Sequence, residues 1–214
     1  MSEFTLYSYW RSTTSYRVRI AMHLKGLTYK TKPVDLVKGE QSTAEYSKLN
    51  PGHGVPSLVL PDGTVLTQSM AILHWLDRVH PDPPLTSGDP AVAARIEAAA
   101  MIIACDIHPV NNLKVVNRIK AMGHSQDEAV AWMHEWMRKG FNAFQSLIPR
   151  DGAFSFGEAP SLADICLVPQ LYNAHRWNFD LADFARLTEI EMRCLQLLAF
   201  DAARPENQPD AASN

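Results

Sequence analysis

Two hydrophobic periodicities divide the chain. Short β-favouring runs and short helical stripes alternate over the first eighty residues, and beyond them the pattern is almost wholly helical. Residues 4–9 (FTLYSY) predict a strand. The hydroxyls Ser12, Thr13, Thr14 and Ser15 follow, which are helix-capping types. Val18, Ala21, Met22 and Leu24 then trace a helix that Gly26 stops. Residues 28–36 predict a second strand, at a sheet edge because of Pro33. Residues 42–49 predict a short helix, and Asn50-Pro51-Gly52-His53-Gly54 a loop. Residues 57–60 and 64–67 predict a hairpin about Pro61-Asp62-Gly63, after which Ser69 caps a helix reaching about residue 79.

This order, β-α-β-α-β-β-α, predicts a small α+β domain over residues 1–80. Residues 81–90 (PDPPLTSGDP) hold four prolines and a glycine and predict a linker. Residues 91–214 predict an all-helical domain. Ile96, Ala100, Ile103 and Ile107 form one stripe of a long helix. Val130, Met133, Met137, Phe141 and Phe144 mark another over about 125–147. Ser161-Leu162-Ala163-Asp164 resembles a capping box, with Asp in the usual Glu or Gln position. Further helices fall near 183–203, and the polar tail from Arg204 predicts fraying.

Composition narrows the function classes. At 214 residues, 46% hydrophobic and 20% charged, the chain can bury a core without staples. A net charge of −3 and the lack of a basic stripe argue against nucleic acid as partner. Arg17, Arg19 and Lys25 read as a solvated or locally paired helix face. Cys105, Cys166 and Cys194 are few, odd in number and far apart, which predicts a reducing compartment. With no signal-peptide pattern and no apolar run of ~20 residues, the expectation is a cytoplasmic protein with no membrane partner. One Cys-x-x-His without a matching pair predicts no metal site.

Three places could carry chemistry. Arg11-Ser12-Thr13-Thr14-Ser15 lies where a strand gives way to a helix, and a helix N-terminus favours an anion. A thiol of pKa ~8.5 needs roughly 2 kcal/mol to ionise at neutrality. A helix dipole contributes up to ~2 kcal/mol and a hydrogen bond to a charged group ~1.5–3. Val55-Pro56 could form a cis turn that presents main-chain groups to an extended peptide. Gln68-Ser69 could seat a carboxylate on a second helix N-terminus. On spacing alone, a plain cap and an ordinary trans proline account for the first two, while at Gln68-Ser69 a plain cap and a carboxylate seat fit equally well.

Together these residues resemble a known family. Arg11-Ser12-Thr13-Thr14-Ser15-Tyr16-Arg17-Val18-Arg19-Ile20-Ala21 resembles the zeta-class glutathione transferase signature, which usually has Ser-Ser-Cys in place of Ser12-Thr13-Thr14. Asn50-Pro51, Val55-Pro56 and Gln68-Ser69-Met70-Ala71-Ile72 match further family segments. So do residues 106–112, residues 163–170 and Arg176-Trp177. The resemblance implies a thioredoxin-like glutathione-binding domain, a helical substrate domain, a homodimer and a glutathione-dependent cis–trans isomerase of maleylacetoacetate or maleylpyruvate in aromatic catabolism. Addition of the thiolate to the cis double bond, rotation and release would leave glutathione unconsumed.

The resemblance implies roles residue by residue. Ser12, assisted by Thr14, stabilises the thiolate. Val55, before Pro56, pairs with the cysteinyl part of glutathione, and Gln68 and Ser69 hold its γ-glutamyl end. His53, His108 and Asn112 lie near the glycine end or the thiol. Arg11 and Arg176 anchor the dicarboxylate substrate. Read without the resemblance, Arg11 could stack on Trp10, Arg176 could be a structural ion pair, and His108 a core histidine. Thr14 lacks the family thiol, so reductive dehalogenation is not implied. Thr14 is similar to bacterial maleylpyruvate isomerases, but Leu113-Lys114 stands where those carry paired arginines, which leaves both substrates open. The rival readings are an electrophile-conjugating transferase and a non-catalytic glutathione-binding protein.

Overall fold

The computed structural model describes residues 3–211. It divides into two compact units: one holds residues up to Pro84 and those from Leu195 onward, and the other spans Leu85–Cys194.

The first unit follows the predicted order. Strand β1 (Phe4–Ser8) leads into α1 (Thr13–Leu24) and returns as β2 (Tyr29–Pro33), parallel to β1. A parallel return requires such a crossover. Then come α2 (Ala44–Leu49), the hairpin β3 (Ser57–Val59) and β4 (Val65–Thr67), and α3 (Ser69–Val79). The sheet order is β2-β1-β3-β4, with β3 antiparallel to both neighbours and β2 at the edge where Pro33 belongs. Leu6 faces Leu58 across β1 and β3, and both are fully buried with Ile20, Ile72 and Leu76.

Three expectations for this unit are corrected. The C-terminal residues do not belong with the helical part. Helix α9 (Leu198–Ala202) packs on α1, and the Trp10 N–H donates to Asp210 Oδ2 at 2.9 Å. The tail therefore does not fray over residues 204–211: Gln208 is buried, and its amide donates to Ala202 and Arg204 carbonyls at 3.0 and 2.8 Å. Of the two readings of the basic face, solvated or paired, it is pairing that holds, and the residues are buried. Arg19, at 0% exposure, donates to Ala203 O, Ser8 Oγ and Trp10 O at 3.0–3.1 Å. The Lys25 ammonium donates to Asp77, His80 O and Pro83 O, which satisfies all three of its protons. Finally, α3 is capped by Gln68, and Ser69 is its first helical residue.

The second unit is helical. Asp89 caps α4 (Pro90–Met101), accepting from Ala91 and Val92 N–H at 2.9 Å. The predicted stripe is buried at Ile96, Ala100, Ile103 and Ile107, but the helix widens into a π turn over Ile102–Ile107. Helix α5 (Leu113–Ala121) was not expected, and α6 (Gln126–Leu147) runs where the periodicity put it. Gly140 of α6 meets the π turn: a Cβ there would lie 2.3 Å from Ile107 Cγ1. Helix α7 (Leu162–Arg176) opens on the predicted capping box. Asp164 accepts from Ser161 N–H, Ser161 Oγ and Ser155 N–H at 2.8–2.9 Å. Burial pushes its carboxyl up, while those donors pull it back. Helix α8 (Ala185–Leu195) carries Cys194, whose thiol burial drives far up, so it stays a protonated core group. Among the described residues no helix is long and apolar enough to cross a membrane.

Candidate functional site

The residues predicted to carry chemistry in the first unit gather at the ends of three elements. Ser12 is the N-cap of α1, extended at φ −70° and ψ 119°, and its Oγ accepts from Ser15 N–H at 3.2 Å. The Thr14 hydroxyl donates to Val55 O at 2.8 Å and lies 2.9 Å from Ser12 Oγ. With the Thr14 proton on Val55, the Ser12 proton is the one that joins the two hydroxyls. Thr14 therefore fastens the start of α1 to the loop before β3, and its own hydrogen is committed to that carbonyl rather than aimed at a ligand.

The Val55–Pro56 peptide is cis. The loop ahead of it is held by residues that sequence reasoning did not single out. Tyr46 of α2 donates its hydroxyl to Gly54 O at 2.6 Å, and Asn50 Nδ2 donates to the same oxygen at 2.8 Å. Both also reach Ser57 Oγ, at 3.0 and 3.2 Å. Burial raises the Tyr46 phenol pKa, which keeps it a neutral donor. An aromatic residue in a short polar helix was the available signal. The Val55 N–H, in contrast, has no partner among the described residues. His53 sits on the exposed side of this loop in the left-handed region, φ 54°.

Gln68 is the second residue here with a positive φ, at 67° with ψ 116°. For a non-glycine such backbone costs about 1–3 kcal/mol and clusters at ligand sites. No side chain caps α3, so its first N–H groups are not satisfied from within that turn by Gln68. Ser69, 5% exposed, accepts from Arg17 Nη1 at 3.4 Å. Arg11 lies with its guanidinium carbon 4.6 Å from the Trp10 ring centroid and donates to Tyr9 Oη at 3.2 Å. The stacking anticipated for it is thus present, and it leaves the side chain half-buried and oriented.

The other predicted residues belong to the second unit. His108 follows the π turn, and its N–H donates to Ile103 O at 3.0 Å. Asn112 caps α5, its Oδ1 accepting from Lys114 N–H at 3.1 Å. Arg176, exposed at the C-terminal end of α7, lies 5.0 Å from the Trp177 ring centroid. A cation at that end complements the helix dipole. No group of three or more His, Cys, Asp or Glu side chains suited to a metal ion forms among the described residues.

Chemically, the first unit offers a helix N-terminus beside two hydroxyls, a peptide N–H at a cis turn, and a second helix N-terminus backed by a serine. That set suits an extended, anionic, thiol-bearing peptide. Comparison with known proteins agrees. A family model described as "Glutathione S-transferase, N-terminal domain" matches residues 11–79. A maleylacetoacetate isomerase of Pseudomonas aeruginosa is 42% identical over 96% of this chain and 97% of its own length. The solved holo structure of a maleylpyruvate isomerase, described as a bacterial zeta-class glutathione transferase, superposes with a TM-score of 0.94 at 39% identity. That match covers 97% of this chain and 99% of the other. A maleylacetoacetate isomerase of Methylobacterium extorquens, solved with bound malonate and glutathione, gives 0.92 at 31% identity, covering 97% and 99% of the two chains.

Proposed function

This chain belongs to the zeta-class glutathione transferase family, and from that premise we propose that it is a glutathione-dependent cis–trans isomerase of a maleyl-type diketo acid. The substrate is maleylacetoacetate or maleylpyruvate, and the product is the fumaryl isomer. The kinship along nearly the whole chain with proteins named for this reaction carries the reading.

The residues present fit glutathione. Val55 keeps an unpartnered N–H for the cysteinyl unit, and Gln68 and Ser69 open α3 without a side-chain cap, where the γ-glutamyl carboxylate gains most. His53, with His108 and Asn112 of the helical unit, serves the glycine end or the thiol. When bound, glutathione supplies a thiolate whose reversible addition to the conjugated double bond permits rotation, and it is not consumed.

The protein's own work is to hold charge. Ser12 turns its hydroxyl from Thr14 toward the sulfur, and the α1 N-terminus adds its dipole. Thr14 stays on Val55, so it assists by fixing the turn. Arg11, held by Trp10 and Tyr9, and Arg176 receive the substrate carboxylates with planar forks. A homodimer, a cytoplasmic location and a place in aromatic catabolism complete the proposal on the strength of the resemblance.

The test mixes purified protein with maleylpyruvate and, separately, maleylacetoacetate, with and without glutathione. The expected result is fumaryl product with no loss of glutathione, and slower turnover in Arg176→Ala. Consumption of glutathione would favour conjugation. No turnover despite bound glutathione would leave a binding protein.

A further inference from the structure

Arg11 and Ser12, proposed above to anchor the substrate and to stabilise the thiolate, belong to one tight turn. The Ser12 N–H donates to Tyr9 O at 3.0 Å, which closes residues 9–12 as a β-turn with Trp10 and Arg11 at its centre. Both main-chain groups of Trp10 are bonded outside that turn. Its N–H donates to Asp210 Oδ2 at 2.9 Å, and its carbonyl accepts from Arg19 Nη2 at 3.0 Å. Arg19 is in turn braced by Ala203 O at 3.0 Å. The segment after α9 therefore reaches the turn twice, once through Arg19 and once directly. Asp210 is itself held in place: the Ala211 N–H donates to Gln208 O at 3.0 Å around it, and the buried Gln208 amide is fixed to Ala202 O and Arg204 O.

The Arg11 side chain takes its direction from this turn. Its guanidinium carbon lies 4.6 Å from the Trp10 ring centroid, and Nη2 donates to Tyr9 Oη at 3.2 Å. What fixes Trp10 thus fixes the fork, and a planar fork receives a carboxylate in one orientation. We propose that Asp210 is a positioning residue for substrate binding: from 200 residues away it holds the Trp10 peptide, and through it aims the Arg11 guanidinium at the incoming carboxylate. This rests on the isomerase reading above, in which Arg11 anchors the diketo acid, and it adds the group that aims that anchor. Asp210 acts through Trp10 and does not touch the substrate.

Steady-state kinetics at saturating glutathione test this, with whichever of maleylpyruvate and maleylacetoacetate the wild type turns over. Asp210→Ala removes the acceptor. KM for the diketo acid is expected to rise about fivefold. The turnover number is expected to change less than about twofold, and glutathione affinity by calorimetry to stay within about twofold. Asp210→Asn keeps an acceptor oxygen without the charge, and is expected to bring KM back to within about twofold of wild type. Plain destabilisation would lower the active fraction, and with it kcat, at constant KM. Asp210→Glu displaces the acceptor by one methylene; it is expected to raise KM about twofold or more, and it carries the test alone should Asp210→Ala not fold. An unchanged KM, a loss confined to kcat, or an Asn variant no better than Ala would overturn the inference. Arg11→Ala separates this failure from that of its premise: a wild-type KM there would remove Arg11 as the anchor. A wild type that turns over neither substrate would overturn the isomerase reading itself.

Discussion

The Thr14 hydroxyl donates to the Val55 carbonyl at 2.8 Å, across 41 residues of sequence. It joins the start of α1 to the cis turn at Val55-Pro56, the two elements proposed above to hold glutathione. Position 14 thus acts through geometry as well as through its own oxygen. A hydrogen bond of this kind contributes about 0.5–1.5 kcal/mol.

Thr14→Val keeps the shape and removes the donor. KM for glutathione is expected to rise about fivefold, with kcat changing less, because the Val55 turn loosens while Ser12 stays in place. Thr14→Ser is expected to restore KM. Steady-state kinetics at saturating diketo acid measure both. A drop confined to kcat would instead assign Thr14 to the thiolate.

Ser12→Ala removes the hydroxyl proposed to turn to the sulfur and also the cap of α1. The bound thiol is expected to titrate about one unit higher or more. Ultraviolet absorbance of the thiolate against pH reads this directly. The fold should lose about 1 kcal/mol from the missing cap, seen as a lower denaturation midpoint.

Much of this was legible in the sequence, and the exceptions share a cause. The periodicity of FTLYS and the hydroxyls at 12–15 act locally, so β1 and α1 fall where residue type puts them. The Ser161–Asp164 box is equally local. Gln68 was missed as the cap of α3 because a positive φ on glutamine contradicts its own preference and is imposed by tertiary structure. Sequence left Arg19 open between a solvated and a paired face because its partners, Ala203 O among them, lie up to 184 residues away. The π turn kept its apolar stripe buried, so periodicity could not reveal the widening. Ser12, Val55, Gln68 and Ser69 were singled out from motif context. Tyr46, which holds the Gly54 carbonyl ahead of the cis turn, leaves no spacing signal.

Asp164→Ala strips a carboxylate that satisfies two buried peptide N–H groups and one hydroxyl. Stability is expected to fall by roughly 2–4 kcal/mol. Chemical denaturation checks it. A loss under about 0.5 kcal/mol would mean water replaces the carboxylate.

The hydrogen bond that His175 Nε2 donates to the Glu191 carboxylate raises the His175 pKa more than burial lowers it. A histidine raised in the folded state adds stability that is full below about 6.5. It is lost as pH climbs through the raised value. The side chain is 54% exposed, so solvent screening keeps the effect small. Glu191→Gln is expected to flatten this decline, and melting temperature against pH, compared between the two proteins, measures the difference.

Gly140→Ala ought to help an exposed helix by about 1 kcal/mol. Here the added carbon would stand 2.3 Å from Ile107 Cγ1 and 2.4 Å from its Cδ1. A net loss of about 1–3 kcal/mol is expected. Ile107→Ala in the same chain removes both atoms, so the double variant should lose less than the two single losses added together. Strict additivity would refute the contact.

The tail that returns to α1 has a consequence for synthesis. In sequence the helical unit interrupts the first one: the strands and α1 are made before it, and α9, Ala203 and Asp210 after it. On a ribosome, Arg19 and the Trp10 turn wait for partners until the whole helical unit has been made. The first unit is begun before the helical one and completed after it, so a chain cut before Leu195 would leave α1 without the contacts that cover it.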